Sequence, residues 1–552
     1  MIDTLSPKSQ VITLDKVSFY GKRLWVLWAL IIGITFVVQL STVNVLPAIQ
    51  KDEVQITDYG RLALNPESDW SATWLLANNK PLHIWSYVGP LIAETAYRLG
   101  DGSGTSTRIA SLIGGLFAAT MALGWLLSRK VSPYFALLLS IAFSLDPLFI
   151  LTQTLGRVDS WVVAFCLSSC WLLRNETLTT SSRIPIAVIM CAGALAAVAA
   201  FIWPSSIFLY PLILYELIYL MRIKAKHGFG LNKILLSFFY FIISSVVTVI
   251  LLLIPVLNYV QLLLSDMQNV VAQNVQSSKS ISDRALALFD LQLWSKMVKA
   301  FGKTLSPFLP LLGLCAVLYK RDKWLILSFL FTLALIFATL VYEYRLVYLL
   351  PYFLACSGEA FKNINAGVNS IIKRLGTISL IIIIIWAAGI SLVTRTLLAK
   401  ESIQLSRAKI YNAVNTSIGV GNYKVFLAYN YELYFAARSL GWHVYLPYIQ
   451  YNYDEKGNWI QKDDYKPENK LRELLSKMDY AVFPKGEVSL ELSDQLRQSG
   501  LVYKSTMEIG SDSKKHLQFS GRTMDIILWF LRGNESYGPY VLYTRPAAAV
   551  NK

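Results

Sequence analysis

Apolar runs long enough to cross a bilayer recur along the first 395 residues of this 552-residue chain. "LWVLWALIIGITFVVQLSTVN" is typical, since a spanning helix needs about 20 predominantly apolar residues. Only 16% of all residues are charged, against about 25% in soluble domains. This deficit lies before residue 395, whereas residues 400–552 have the composition of a soluble protein. The sequence predicts a polytopic membrane protein with one appended soluble domain.

The apolar runs divide into eleven predicted spans. They are 24–46, 107–127, 133–151, 160–173, 184–202, 205–221, 234–262, 305–319, 324–342, 346–358 and 376–395. The predicted fold is an all-α polytopic membrane domain of about 11 transmembrane helices, with a C-terminal extracytoplasmic α/β domain. Its boundaries are 1–23 for a cytoplasmic N-terminus, 24–395 for the membrane domain and 396–552 for the outer domain.

Basic residues mark one side of this topology, as the positive-inside rule expects. They are Lys16, Lys22, Arg23, Arg129, Lys130, Arg174, Arg183, Arg222, Lys224, Lys226, Lys233, Lys320, Arg321, Lys323, Lys362, Lys373 and Arg374. The N-terminus is then cytoplasmic, and an odd number of spans places the C-terminal domain outside. We expect a multi-pass protein of the cell (inner) membrane. The basic residues of these loops explain the net charge of +16. We therefore predict membrane lipids as partners and do not predict binding of nucleic acid.

The tail alternates between strand-like and helix-like segments. "YKVFLAY" and "WHVYLPY" predict strands around the helix "YELYFAARSLG", and "DYAVFPK" and "LVYKSTMEI" predict strands that follow the helices "PENKLRELLSKM" and "SLELSDQLRQSG". Such alternation favours a small α/β domain with a partly parallel sheet.

An acidic pair, Asp52-Glu53, stands a few residues beyond the first span, in a long outer loop at 47–106. Residues 81–99 of that loop are aromatic and amphipathic and are predicted to lie along the membrane surface. A second long outer loop, 263–304, is predicted to be partly helical.

Further charged residues gather at the outer ends of the predicted spans. They are Lys80, Asp146, Arg157, Asp159, Glu343 and Arg345. Charges at the edge of a membrane are costly and are therefore functional hypotheses. Opposite signs on one face of a bundle indicate a polar cavity open to the outside, although an ion-pair network that only orients helices is the alternative.

Such a cavity suits transfer of a group from a lipid-linked phosphate. A carboxylate at the membrane surface can act as general base on an acceptor hydroxyl or amine. Lysine and arginine nearby can neutralise a phosphate leaving group. The phosphate of a lipid would lie at the height of these residues.

Several segments, taken in order, resemble a known family. They are "KDEV" after the first span, "NNKPLHIWSYVGPLIAETAYRLGDGSGTSTRIASLIGGL", "LDPLFILTQTLGRVDSWVVAF", "FIWPSSIFLYPLIL" and "YEYRLVYLLPYFLA". Together they resemble the GT-C membrane glycosyltransferases, in particular the protein O-mannosyltransferases and the aminoarabinose transferase of lipid A. The likeness covers about residues 20–360 and, more loosely, the tail.

The resemblance implies an inverting glycosyltransferase with a polyprenyl- or dolichyl-phosphate sugar as donor. Asp52 matches the catalytic carboxylate, and Glu53 is the second catalytic candidate. The resemblance also implies donor-phosphate binding by Lys80 and Arg345 and organisation of the cavity by Asp159. From the charge pattern, Arg157 is a further predicted phosphate ligand, and Glu343 and Tyr59 are further predicted cavity-organising residues. The acceptor stays open between protein, lipid and glycan. Lys80 is followed by one proline where the family has two, and Trp203 precedes Pro204 where relatives often have Lys, Arg or Gly.

Two other classes of function use the same features. One is a transporter or flippase of lipid-linked sugars, which usually shows internal repeats or broken helices; the chain has no evident repeat. The other is a noncatalytic membrane assembly protein with the tail as a binding module. No cofactor is assigned. The first loop has no Asp-x-Asp pair, which favours metal-independent transfer without excluding a divalent metal, and no metal ligands are assigned.

Overall fold

The structure is a computed structural model. It describes residues 14–43, 49–72, 86–175, 186–259, 289–307, 322–339, 341, 343–365, 370–400, 407–428, 430–446, 467–509, 523 and 537–546.

Helices dominate the chain up to residue 400. They are α1 (Leu14–Leu40), α2 (Lys51–Leu64), α3 (Val88–Leu99), α4 (Thr105–Ser128), α5 (Pro133–Ser144), α6 (Pro147–Thr154), α7 (Asp159–Arg174), α8 (Ile186–Ile202), α9 (Tyr210–Lys226), α10 (Leu231–Leu253), α11 (Leu291–Thr304), α12 (Lys323–Phe337), α13 (Glu343–Leu346), α14 (Leu350–Asn365) and α15 (Ser370–Lys400). A 3₁₀ turn, Pro204–Phe208, leads into α9.

Among the described residues, four helical stretches are long and apolar enough to cross a membrane. They are Lys22–Leu40, Thr105–Ser128, Leu231–Asn258 and Arg374–Thr396, and the pair α5 and α6, bent by 51°, adds a fifth if it is one span. The chain is an integral membrane protein. The count of eleven spans stays a prediction, and most of the span predicted at 305–319 lies outside the described residues.

The long helices differ in how much of their apolar surface they bury. Two thirds of the spanning window of α4 is buried (67%), whereas the windows of α1, α10 and α15 are buried by only 17%, 11% and 22%. Ile34 of α1 and Ile385 of α15, for example, are 65% and 64% exposed. Apolar surface of this extent would promote aggregation in water. Helix α4 is therefore central, and α1, α10 and α15 present their outer sides to lipid.

Glycines on α4 allow large side chains to approach the helix closely. A Cβ at Gly114 would lie 2.8 Å from the ring of Trp161, and one at Gly124 would lie 2.6 Å from the ring of Trp171. Both tryptophans belong to α7. Small residues at a helix contact bring the two backbones together, which favours packing where no hydrophobic force acts between helices in lipid.

Buried charges lie at both ends of α4. Arg108 at its start pairs with Glu53, and Arg129 just after its end pairs with Glu216 of α9, each with fully buried side chains. A rise of about 1.5 Å per residue puts the two arginines roughly 30 Å apart, which is about the thickness of the hydrocarbon core. Arg174 also pairs with Glu216, at 3.0 Å. The two groups of ion pairs are therefore separated by about the thickness of the hydrocarbon core.

The described residues after 406 form a five-stranded sheet with helices. The strands are β1 (Lys424–Leu427), β2 (His443–Tyr445), β3 (Tyr480–Pro484), β4 (Val502–Ile509) and β5 (Tyr537–Thr544), and the helices are α16 (Arg407–Ser417), α17 (Tyr434–Ser439), α18 (Pro467–Ser476) and α19 (Leu490–Gln498). The strand order is β2-β1-β3-β5-β4. β1 is parallel to β2 and β3, whereas β5 is antiparallel to β3 and β4.

One face of this sheet shares a hydrophobic core with the first outer loop. Its buried side chains pack with Ile49 and Val54 at the start of α2 and with Tyr97 of α3. The opposite face packs against α18 and α19. Burial of apolar side chains across the contact therefore fixes the sheet to the loop that carries Asp52.

The two long outer loops lie partly outside the described residues. Of the surface helix predicted at 81–99, the structure describes residues 86–99 and has α3 there. Of the loop at 263–304, it describes residues 289–304, in which α11 begins at Leu291.

We expect Gly60→Ala to destabilise the contact between α2 and α3. The new methyl group would lie 2.1 Å from the Pro90 carbonyl oxygen and 2.6 Å from Cβ of Glu94. Overpacking costs about 1–3 kcal/mol, which exceeds the gain of about 1 kcal/mol from replacing a helical glycine by alanine. The measurement is the midpoint of thermal unfolding in lipid nanodiscs.

Gly389→Ala in α15 is the matched control, because no atom lies within 4 Å of a Cβ placed there. An unfolding midpoint of Gly60→Ala equal to or above that of this control would contradict the close packing of α2 on α3.

Candidate active site

The carboxylate of Asp52 lies at the start of α2, beside the guanidinium of Arg157. Asp52 is the second residue of the helix, and 38% of its side chain is exposed. Nη1 of Arg157 donates a hydrogen bond to Oδ2 of Asp52. Arg157 comes from the turn between α6 and α7 and is buried. The structure therefore brings together two residues that the sequence predicted for the site.

Asp159 holds Arg157 from the other side. Nε of Arg157 donates to Oδ2 of Asp159 at 2.7 Å, and the hydroxyl of Tyr348 donates to Oδ1 of the same carboxylate at 2.7 Å. The Tyr344 ring lies 4.0 Å from the guanidinium carbon. Burial tends to lower the pKa of Arg157, but the charges of Asp159 and Asp52 outweigh it and raise that pKa. The guanidinium therefore stays positively charged.

Glu53, the neighbour of Asp52, is wholly buried and lies between two arginines. Arg108 donates to it from Nε at 2.9 Å and from Nη2 at 2.8 Å, and Arg407 donates from Nη2 at 3.1 Å. Bidentate contacts of this kind are among the stronger ion pairs in proteins. We call Glu53, Arg108 and Arg407 the Glu53 cluster. It joins α2, α4 and α16.

Gly156 links the Glu53 cluster to Arg157. Its φ is +62°, and a Cβ there would lie 2.8 Å from Cγ of Glu53. Glycine adopts positive φ without the steric cost that other residues meet. The turn can therefore pass close over Glu53, and the next residue, Arg157, reaches Asp52.

Asp58 and Tyr59, further along α2, have other partners. Asp58 is fully buried and accepts hydrogen bonds from Arg61 (2.8 Å), Ser71 (2.9 Å) and Tyr434 of α17 (3.1 Å). Tyr59, predicted to organise the cavity, is buried, and its hydroxyl accepts a hydrogen bond from the side-chain amide of Gln55, one turn before it in α2.

Residues 343–345 lie on the short helix α13, next to Arg157. Tyr344 contacts Arg157 with its ring, and its hydroxyl lies 3.4 Å from Oε1 of Gln50, which precedes α2. Glu343 is buried and Arg345 is half-buried. The structure therefore places the segment of Glu343 and Arg345 beside the predicted site. Lys80, the predicted phosphate ligand, lies outside the described residues.

Polar contacts tie the first outer loop to the C-terminal residues at several points. Besides Glu53 with Arg407 and Asp58 with Tyr434, Glu94 of α3 accepts from Arg438 of α17 at 2.6 Å and 2.8 Å. Each of the three carboxylates has a fully buried side chain. The described residues after 406, which we call the sheet region, are therefore held in a fixed position relative to Asp52.

Sequence analysis did not assign Arg407 or Tyr348 to the site. Arg407 pairs with Glu53 over 354 positions of sequence, which no local pattern indicates. Tyr348 stands in the segment "YEYRLVYLLPY", which carries part of the family resemblance. That resemblance is the signal from which Tyr348 could have been found. Within the described ranges, no group of three or more His, Cys, Asp or Glu could hold a metal ion.

Asp52 differs from the buried acids Glu53, Asp58 and Asp159 in being partly exposed. A carboxylate that is partly exposed and held by a guanidinium can accept a proton from a hydroxyl or amine that approaches from solvent. The neighbouring ammonium of Lys51 is partly desolvated: burial lowers its pKa, and the charge of Asp52 partly offsets that effect. The site can therefore combine a base with nearby cations that could neutralise an anionic leaving group.

Comparison with solved structures identifies the fold. A crystal structure of ArnT from Cupriavidus metallidurans bound to undecaprenyl phosphate matches with a TM-score of 0.52 and 13% sequence identity, over 96% of this chain and 99% of that one. ArnT is a lipid A aminoarabinose transferase of GT-C type. The resemblance predicted from the sequence is confirmed at the level of the fold.

Two further matches have lower TM-scores. ArnT from the same organism in the apo state matches with a TM-score of 0.46 and 12% identity, over 96% of this chain and 99% of that one. The mycobacterial arabinofuranosyltransferase AftD matches with a TM-score of 0.49 and 11% identity, over 94% of this chain and 41% of that one. No family model and no curated protein sequence matches the chain.

We expect Arg108→Gln to destabilise the protein more than Arg407→Gln. Removing one partner of a buried ion pair costs about 3–5 kcal/mol, and Arg108 supplies two of the hydrogen bonds to Glu53 while Arg407 supplies one. The measurement is thermal unfolding in nanodiscs.

Arg497→Gln on the exposed side of α19 is the matched control for loss of one positive charge. If Arg108→Gln or Arg407→Gln unfolded at the same temperature as Arg497→Gln, the Glu53 cluster would not stabilise the protein.

Proposed function

We propose that this chain transfers a sugar from a polyprenyl- or dolichyl-phosphate donor to an acceptor at the outer face of the membrane. The observation that carries the proposal is the contrast on α2: Asp52 is 38% exposed beside Arg157, whereas Glu53 is fully buried between two arginines. The fold it shares with ArnT, which was solved bound to undecaprenyl phosphate, supports a lipid-phosphate donor.

In the proposed reaction Asp52 is the general base. The acceptor oxygen or nitrogen attacks the anomeric carbon of the sugar, its proton passes to the Asp52 carboxylate, and the bond from that carbon to the phosphate oxygen breaks. The leaving group is the polyprenyl or dolichyl phosphate. Attack from the face opposite the phosphate inverts the configuration at the anomeric carbon.

Arg157 has two proposed parts in this step. Its ion pair with Asp159 fixes the guanidinium, and its Nη1 orients the Asp52 carboxylate. Its Nη2 takes no part in these ion pairs and can donate to the donor phosphate, which gains negative charge as the bond breaks. Arg345 and Lys80 are further proposed phosphate ligands. The contacts of Glu53 suit a role in holding α2 rather than in proton transfer.

The proposed orientation follows from the ends of α4. The Arg108 end carries the site and faces outward, and the Arg129 end faces the cytoplasm with the basic loops. The sheet, tied to the first outer loop, then lies outside the cell or in an equivalent compartment.

We expect Asp52→Asn to abolish transfer. Loss of a general base lowers the rate by roughly 10²–10⁴-fold, and the amide keeps the shape of the carboxylate. Purified protein in nanodiscs would be given a panel of radiolabelled polyprenyl-phosphate sugars, with membrane extract of the source organism as acceptor, and incorporated label would be counted.

Asp69→Asn is the matched control, because Asp69 is an exposed acid of the same outer loop. Equal transfer by Asp52→Asn and the control would refute Asp52 as base. Donor binding without any transfer by the wild-type protein would instead favour a transporter.

We expect a cysteine at position 494 to react from outside and one at position 226 only after the membrane is opened. Asp494→Cys on α19 and Lys226→Cys at the end of α9 would be placed in a variant without the five natural cysteines. The measurement is labelling by a membrane-impermeant maleimide in right-side-out vesicles. The opposite labelling pattern would reverse the proposed orientation.

A further inference from the structure

A cavity of about 340 Å³ lies where the C-terminal residues meet the first outer loop. We call it the junction cavity. Its walls come from three places: Ile49 before α2, then Asp101, Ser103 and Thr105 at the entry to α4, and the helices α16 and α17 with the turn before α17. Its volume is within the range of about 300–1,000 Å³ that is usual for small-ligand sites.

Hydrogen-bonding groups line one part of the junction cavity, and apolar surface makes up the larger part of its lining. Ser103 donates to Asp101 at 2.6 Å and lies 2.8 Å from the hydroxyl of Thr105, so these groups form a connected polar edge. Asn412 and Glu432 contribute an amide and a buried carboxylate. Together these groups offer both donors and acceptors.

An aromatic ring completes the cavity. Tyr411 of α16 lines it and is 38% exposed, so part of its side chain is accessible. Polar groups around a partly exposed aromatic ring match a sugar, whose hydroxyls need donors and acceptors and whose C–H face packs on an aromatic surface.

The charges of the lining disfavour a phosphate. Asp101 and Glu432 are acids, and the guanidinium of Arg407 already donates to Glu53 and to the carbonyl oxygen of Ser103. A ligand with many hydroxyl groups and no negative charge therefore fits this lining better than the phosphate of the donor.

The junction cavity lies beside the start of the helix that carries Asp52. Ile49 lines it three residues before Asp52, and three residues of chain span at most about 10 Å. Arg407 lines it as well and contacts Glu53, the residue after Asp52. The cavity therefore lies within the length of a few sugar units of Asp52.

We infer that the junction cavity binds the saccharide part of the acceptor, so that the acceptor is a glycan or a glycolipid. This inference rests on the proposed transfer function. The sheet region then contributes half of the acceptor site, and the hydroxyl that receives the sugar is presented to Asp52 from the side of α16.

The test compares Tyr411→Ala and Asn412→Ala with wild type in nanodiscs. The probes are oligosaccharides of two to four units built from mannose, glucose, galactose or arabinose, and binding is measured by isothermal titration calorimetry. We expect at least one probe to bind wild-type protein and its Kd to rise about tenfold in each variant, as for loss of about 1.4 kcal/mol.

Tyr503→Ala on β4 and Gln498→Ala at the end of α19 are the matched controls, since both side chains are exposed and away from the cavity lining. Both controls should bind like wild type, and all four variants should unfold at the wild-type temperature. Binding of no probe, or equal binding by the cavity variants and controls, would overturn the inference.

Transfer to membrane extract, measured in parallel, separates this inference from the proposed function. Transfer that depends on Asp52 but keeps the same acceptor KM in Tyr411→Ala and Asn412→Ala would refute the acceptor site and leave the transferase in place. Saccharide binding that depends on the cavity, with no transfer from any donor, would refute the transferase and with it the acceptor role.

Discussion

The buried carboxylate of Glu53 is the contact on which the arrangement of the outer face depends. An isolated carboxylate with no exposed surface is strongly unfavourable, and it becomes acceptable when it is paired and hydrogen-bonded. Glu53 takes one partner from α4 and one from α16, so the two must stay in place together. The start of α2 is thereby fixed between the membrane helices and the sheet region.

The same carboxylate determines the surroundings of Asp52. The turn at Gly156 passes within van der Waals contact of Glu53, and the next side chain along the chain is Arg157. A side chain at position 156 would push this turn away, and the guanidinium would then move away from Asp52. The site is therefore built outward from a buried ion pair.

Hydropathy and charge in the sequence predicted the membrane helices and several residues of the site, because bilayer thickness and side-chain hydration constrain local composition. Asp52, Arg157 and Asp159 were predicted from their place at span ends, and the structure brings them into one chain of contacts. The ion pair of Glu53 with Arg407 was not predictable from the sequence. Nothing local distinguishes either residue, and the two come together only because the sheet packs on α3.

Strand β5 shows a second limit of prediction from sequence. It lies between β3 and β4, yet no strand was predicted there. Pro539 near its start is unfavourable in a central strand. The structure accommodates it at an irregularity in the pairing, between the partners of Met507 and Ile509. Tertiary pairing from both sides outweighs the local preference of this segment.

The unequal exposure of two adjacent acids is the strongest argument about their roles. Glu53, Asp58 and Glu94 all have fully buried side chains, as expected of ion pairs that hold elements together. Asp52, by contrast, is 38% exposed, although its partner Arg157 is buried. Under the proposed function, the exposure of Asp52 gives a reacting acceptor access to its carboxylate, whereas Glu53 is closed to any acceptor.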